Sequence, residues 1–397
     1  MAPTGSAMVS PMSPLIGAIT AAGGLCFGLI RAMELYACWL PRVVSTDSKI
    51  AMGYELGNLG CQLRVAHDRF RELTDDPRIL GPRPLEEQFQ ALLDADGDAG
   101  ILAAAARAHE LVEGLARDYA LAIEADPLAR ALDGPGLILS TQLAGNISPR
   151  PKSVGGASGT TVVYGATLPI PHMATVPSRD EELEARRGDE PAWADLIASP
   201  SGRAQILHDV FADIELSAME VCATAIVRFR EMPVDFKLDM ARQAWDEARH
   251  ARACLVRSEE LGGPVVGRRY SLKVWDRWMA GRDVLECLCI EQLVQEGNAL
   301  DSVHALAASF AAAGDDRSAN LLRFFGRDEE LHTAIGNKWV GLAVSDGAGK
   351  SYVDQVLSAA ERIGMTVPGH APVALQARRR GGFPETFLQA IAPATVK

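Results

Sequence analysis

Two strings of one form sit in the middle of long helical patterns: Asp246-Glu247-Ala248-Arg249-His250 and Asp328-Glu329-Glu330-Leu331-His332. Each reads D-E-x-x-H. On an α-helix, positions i and i+3 share a face, so Glu247 points with His250 and Glu329 with His332. One such string is most simply a solvated helix face. Two of them, both flanked by apolar residues, constrain the fold far more. A carboxylate and an imidazole kept indoors need each other or a cation, because isolated buried charge is very costly.

The partner helices extend the pattern. A turn at Pro233 separates the first string from Glu215, and a turn at Gly314 separates the second from Glu296. Glu215 lies 18 residues before Pro233, and Glu247 and His250 lie 14 and 17 after it. Glu296 lies 18 before Gly314, and Glu329 and His332 lie 15 and 18 after it. At about 1.5 Å rise per residue, each set is level in an antiparallel pair. Glu215 precedes Glu247 by 32 positions and Glu296 precedes Glu329 by 33, so the two hairpins are near copies. Four carboxylates and two imidazoles are therefore expected at one height of a four-helix bundle. A Glu from each of two helices and a Glu-x-x-His from each of the other two is the ligand set of a carboxylate-bridged di-iron or di-manganese centre. Glu220 and Glu291 are rivals for the lone-Glu positions, but their separations from the two motifs, 27 and 38, break the symmetry. Asp246 and Asp328 are natural acceptors for the outer ring N–H groups, including that of the other half's histidine. His208, seven residues before Glu215, falls on roughly the same face as a proton relay or gate, and Glu220 is a further residue expected behind the ligands.

The surrounding chain is helical. Ala and Leu are abundant and β-branched runs are few, which favours helix over strand. The expected architecture is all-α, a four-helix bundle with an added N-terminal helical domain and a long Pro/Gly-rich connection. Residues 1–12 read as a flexible tail and 13–133 as the N-terminal helical domain. Residues 134–200 are the connection, a lid, with one β-like run at Thr160–Tyr164; 201–345 are the di-metal bundle, and 346–397 a C-terminal helix and tail.

Composition bounds the partners. The formal net charge is −12 and the only compact basic run is Arg378–Arg380, so no nucleic acid is expected. Seven scattered cysteines without metal-finger spacing read as buried thiols in a reducing cytoplasm. The apolar stretch from Leu15 to Ile30 is cut short by Arg31 and Glu34, below the ~20 residues that span a bilayer. No membrane contact is expected.

The motifs resemble those of the ferritin-like di-iron carboxylate superfamily over residues 201–345. More narrowly, "GRAQILHDVFADIELSAMEVCATAIVRF", "DEARHARACLVRSEELG" and "ARRRGGF" are similar to an uncharacterised bacterial ferritin-like family, over about 170–390. Asp213 and Gln376 depart from that family's pattern, which has His and Glu at these places. The resemblance implies two iron ions that react with O2, manganese being the other candidate. It also implies that Glu247 and Glu329 bridge the ions, that Glu215 and Glu296 are terminal ligands, and that His250 and His332 bind one ion each.

The expected function is an oxygen-dependent non-haem di-iron oxidoreductase of hydroxylase, N-oxygenase or desaturase type, acting on a small organic substrate, as in specialised metabolism. It would take electrons from a reductase or other donor and assemble as a homodimer. The alternatives are a ferroxidase, metal-storage protein or manganese catalase, and a tRNA-modifying di-iron hydroxylase.

Overall fold

The computed structural model describes residues 14–125, 127–132, 160–186, 192–345 and 351–392. The N-terminal tail, most of the front half of the Pro/Gly-rich connection and residues 346–350 and 393–397 lie outside them. The described residues form an all-α bundle fold, with two short strand pairs among them. They fall into two compact units built from interleaved segments: 1–43, 58–176 and 226–238 in one, 44–57, 177–225 and 239–397 in the other. The sequence reading divides the chain consecutively instead.

In the first unit, α1 (Pro14–Trp39) packs on α4 (Gly97–Glu124), with α2 (Thr46–Leu73, from residue 58), α3 (Arg83–Gln90) and α5 (Pro127–Leu132) alongside. Strand β1 (Leu80–Pro82) pairs antiparallel with β2 (Thr161–Val163), inside the run read as β-like. Helix α1 is the one described helix long and apolar enough to cross a bilayer, and most of it is buried within the protein. Its two charges are completely buried and paired. Arg31 forks onto Glu86 (Nε–Oε2 2.9 Å, Nη2–Oε1 3.0 Å) and reaches Glu34 at 2.6 Å. Glu34 also accepts from Arg230 and from the Tyr164 hydroxyl, each at 2.7 Å. Two arginines against two glutamates cancel, which is what permits such groups inside an apolar core.

The second unit holds the bundle except for its first turn, residues 226–238, which belong to the first unit. After the short α6 (Trp193–Leu196), Ser199 caps α7 (Pro200–Asp209), its hydroxyl accepting from the Gly202 amide at 2.9 Å, with Pro200 at the first helical position. The helix runs through a π-turn (Val210–Glu215) into α8 (Leu216–Arg228). After the Pro233 turn comes α9 (Val234–Glu260), which ends at Gly262 and Gly263, both with positive φ as a helix stop requires. Then follow α10 (Lys273–Met279) and α11 (Val284–Leu288), the latter capped by Asp283. A second π-turn (Cys289–Gln295) leads into α12 (Glu296–Ala312), and Gly314 (φ 76°) turns the chain into α13 (Asp316–Ser345). Helices α14 (Tyr352–Arg362), α15 (Leu375–Arg380) and α16 (Glu385–Ile391) close the chain. Helix α13 lies so close to the second π-turn that a Cβ on Gly336 would sit 2.4 Å from that of Gln292. Strand β3 (Glu184–Ala185) pairs parallel with β4 (Arg269–Tyr270).

Each arginine of the basic run pairs with a carboxylate of this chain, the first pair buried and the other two at the surface. Arg378 is fully buried against Asp301 at 2.7 Å, Arg379 meets Glu385 at 2.7 Å, and Arg380 meets Glu330.

Candidate metal centre

Each lone glutamate rides on a π-turn. Glu215 closes the first and Glu296 follows the second. A π-turn adds one residue to the helical repeat and re-aims the side chains around it, and such turns are frequent at functional sites. Helices α9 and α13 bring Glu247, His250, Glu329 and His332 to the same level. All six side chains are buried, none more than 5% exposed.

The two imidazoles face one another across the centre, with ring centroids 6.0 Å apart. Both turn Nδ1 inward. His250 Nδ1 lies 3.1 Å from Glu247, 3.5 Å from Glu215 and 3.8 Å from Glu329. His332 Nδ1 lies 3.1 Å from Glu247, 3.2 Å from Glu329 and 3.8 Å from Glu296. Glu247 and Glu329 are therefore shared by both histidines, whereas Glu215 and Glu296 each serve one. Two triads, Glu215-Glu247-His250 and Glu247-Glu329-His332, bring their ligand atoms within 4.8 Å of one another.

The outer nitrogens are tied crosswise. His250 Nε2 hydrogen-bonds Asp328 Oδ2 at 3.0 Å, and His332 Nε2 lies 3.5 Å from Asp246 Oδ2. Each aspartate thus serves the other hairpin's histidine. Arg249 donates to Asp246 and, at 3.0 Å, to Asp328, joining the two halves. Arg242 also holds Asp246, at 2.9 Å. The crowded Asp246–His250 string is accounted for: one shared carboxylate, one imidazole, one acceptor for the opposite imidazole, and the guanidinium that binds both acceptors.

These groups fit metal. Burial pushes Glu215 up to about 8 and holds Glu329 well above the carboxylate range, the latter helped by the neighbouring Glu296. Burial would raise Glu247 too, but the charges of His332 and His250 outweigh it and hold it well below. Burial likewise opposes charge on the imidazoles, yet Asp328, Glu215 and Glu247 around His250, and Glu247, Glu329 and Asp246 around His332, hold both protonated well above the usual range. Protons shared among carboxylates and inward-facing ring nitrogens occupy the role a cation fills. The buried Oε1 of Glu247 accepts no well-directed hydrogen bond among the described residues, its nearest polar neighbour being His332 Nδ1 at 3.1 Å. The buried Glu/His groups can hold metal ions.

A cavity of about 50 Å³ opens on the carboxylate side. Glu215, Glu247, Glu296 and Glu329 line it, and neither histidine does. Its walls are apolar, Val210, Ile214, Ala218, Leu322 and Phe325 among them.

Residues 157–389 match a protein family described as being of unknown function, DUF455. The chain belongs to this family. No curated protein and no solved structure matches the chain. The family's span contains all six clustered residues and both aspartates, while α1 to α5 of the N-terminal unit precede it.

The other two residues singled out from the sequence stand apart from the cluster. Glu220 is fully buried between Lys49 and Arg179, accepting from Arg179 at 2.7 Å. His208 is 1% exposed, packs edge-on against Phe211 and has no hydrogen-bond partner for either ring nitrogen among the described residues. Glu291 is also buried, bonded by the Gln295 amide. Sequence reasoning missed Gln243, whose amide donates to Glu296 at 2.7 Å, and Phe325, stacked on the His250 ring at 4.0 Å. Gln243 lies one helical turn before Glu247, a spacing that marks it as facing the centre. Phe325 carries no such signal.

Proposed function

We propose that this chain is an oxygen-dependent non-haem di-iron oxidoreductase, of the ferritin-like di-iron carboxylate superfamily, acting on a small organic substrate. In this reading Glu247 and Glu329 bridge two iron ions, Glu215 and Glu296 are terminal ligands, and His250 and His332 bind one ion each through Nδ1. Four carboxylates balance the charge of two divalent ions, and imidazole suits iron while leaving positions open to oxygen. When bound, the ions supply reduction of O2 and oxidation of the substrate. For a hydroxylation, a C–H bond, O2, two electrons and two protons become C–OH and water, with the electrons from a reductase or other donor.

The chain's own residues prepare that chemistry. Asp328 and Asp246 fix both rings so that Nδ1 faces inward. Gln243 orients Glu296, and Phe325 holds the plane of His250. The apolar walls exclude bulk water, which protects reactive species and strengthens the electrostatics inside.

The observation that carries the reading is the apolar cavity lined by all four glutamates. A ferroxidase or storage protein needs a path for ions, and polar lining serves that better. The buried pairing of Arg378 with Asp301 takes that residue out of any tRNA-binding face.

Anaerobic loading with Fe(II), followed by exposure to oxygen, tests the proposal. The expected result is about two irons per chain and a transient visible absorbance, both lost in Glu247→Ala. A chain that takes up no transition metal, or a cage-sized oligomer that fills with iron, overturns it.

A further inference from the structure

The carboxylate-lined cavity shares three residues, Trp193, Ser302 and Leu306, with a second cavity of about 380 Å³. This outer chamber is mainly apolar, and exposed residues such as Ala194, Ser309 and His370 border it. Among the described residues, the only ionisable side chain lining it is His370. The two spaces are thus neighbours, one reaching the carboxylates and the other reaching solvent, with the same three side chains between them.

Trp193 is the movable part of that partition. It opens a four-residue helix (Trp193–Leu196) and is half-buried. Its indole N–H donates to Asp209 Oδ2 at 3.3 Å, and Asp209 is itself held by Gln205 at 2.7 Å and Arg186 at 3.0 Å. One long hydrogen bond to an anchored carboxylate holds the indole in place and lets it swing at modest cost.

Size sets what can pass. A cavity of roughly 150 Å³ is what a benzene ring occupies, and a water molecule takes about 30 Å³ of liquid. The inner space, about 50 Å³, therefore takes the end of a chain and not a ring. The outer space is large enough for the rest of the molecule. Charge points the same way. Four carboxylates offset by two divalent ions leave no net charge to attract an ionic end, and among the described residues the remaining walls offer no ionisable group except the exposed His370.

We propose that the two cavities form one entry path for a slender, uncharged alkyl chain, whose end passes between Trp193, Ser302 and Leu306 to lie against the four carboxylates. The inference rests on the reading that metal ions seat between those carboxylates, and it assigns the substrate class of that site. A group bearing a ring is held in the outer chamber.

Relaxation of 1-octanol protons by the full-length protein loaded with Mn(II) tests this. The terminal methyl protons are expected to relax several-fold faster than the carbinol methylene, because the end of the chain lies nearest the ions. Uptake of Mn(II) with uniform relaxation along the chain, or with fastest relaxation at the carbinol, overturns the path and leaves the metal reading standing. Failure to take up Mn(II) overturns both. A second arm compares 1-octanol with 2-cyclohexylethanol, another eight-carbon alcohol. At least tenfold tighter binding of the linear alcohol is expected, narrowed several-fold in Trp193→Ala or, should that variant not fold, in Leu306→Ala. Equal affinity for the two alcohols, or a gap that neither variant narrows, overturns the size argument.

Discussion

Asp328 of one hairpin hydrogen-bonds Nε2 of His250 in the other at 3.0 Å, so the second hairpin orients the first hairpin's imidazole. The reciprocal distance, from Asp246 to His332, is longer at 3.5 Å, and Arg249 ties the two aspartates together. Groups that orient a ligand in this way typically contribute 10–100-fold to metal affinity. Asp328→Asn keeps the shape and removes the charge that favours an N–H at Nε2. It is expected to weaken the ion bound by His250 by about that factor while the second ion is held nearly as before. Anaerobic Fe(II) titration, read as two separate affinities, checks this.

The metal-free centre stacks like charges in a dry place. Glu329 is buried, and burial together with Glu296 pushes its carboxyl well above the usual range. Glu329→Gln keeps the volume and removes the need to desolvate a charge. The metal-free variant is expected to be more stable than the native chain by roughly 1–3 kcal/mol. Metal is expected to raise the melting temperature of the native chain by binding its folded state, and that of the variant far less. Thermal melts with and without Fe(II) or Mn(II) separate the two effects.

The six clustered residues were legible because their constraint is geometric and local. An i, i+3 pair fixes a face, and a turn residue with a constant rise fixes a height, so Glu215, Glu247, His250, Glu296, Glu329 and His332 could be placed without tertiary knowledge. The π-turns before Glu215 and Glu296 leave no mark of that kind. They arise where tertiary packing, such as the close approach at Gly336, outweighs the local preference for i to i+4 bonds. Arg249 and Phe325 act across hairpins, so nothing in their own segments announces a partner. The cluster of Arg31, Glu34, Glu86, Tyr164 and Arg230 was hidden for the same reason. Its members are separated by up to 199 positions in the chain, and only the fold brings opposite charges together. The interleaving of the two compact units is likewise invisible to a reading that looks for composition changes along the chain.

Arg378 fastens α15 to α12 through Asp301, with both side chains buried. Removing one partner of a buried pair leaves the other charge unpaired, which typically costs 3–5 kcal/mol, whereas replacing both with apolar groups is often neutral. Arg378→Met is therefore expected to destabilise the chain by about 3–5 kcal/mol. Arg378→Met combined with Asp301→Leu should recover most of that loss. Arg378→Lys should not rescue it, because Asp301 receives both Nε and Nη2 from a planar fork. Chemical denaturation of the four proteins measures the coupling.

A buried and a half-buried group on the first bundle helix titrate in opposite senses. Burial lowers His208 to about 4. Its folded value lies below its unfolded one, so the unfolded chain binds more protons between about pH 6.5 and 4, and this group makes stability fall as pH falls through that window. Burial raises Asp213 to about 6, against the opposing charge of Arg186. Its folded value lies above its unfolded one, so the folded chain binds more protons between about pH 6 and 3.8, and this group makes stability rise as pH falls there. The two contributions are each on the order of 3 kcal/mol and largely cancel in the native chain between pH 4 and 6. His208→Leu removes one side of the balance and is expected to turn the difference from the native chain progressively more favourable as pH falls from 6.5 to 4. Asp213→Asn removes the other side and is expected to give the opposite slope. Because both contributions are read as differences from the native chain at each pH, titration of the clustered carboxylates drops out, and parallel stability curves for all three proteins would show that neither group is held at the value its burial implies.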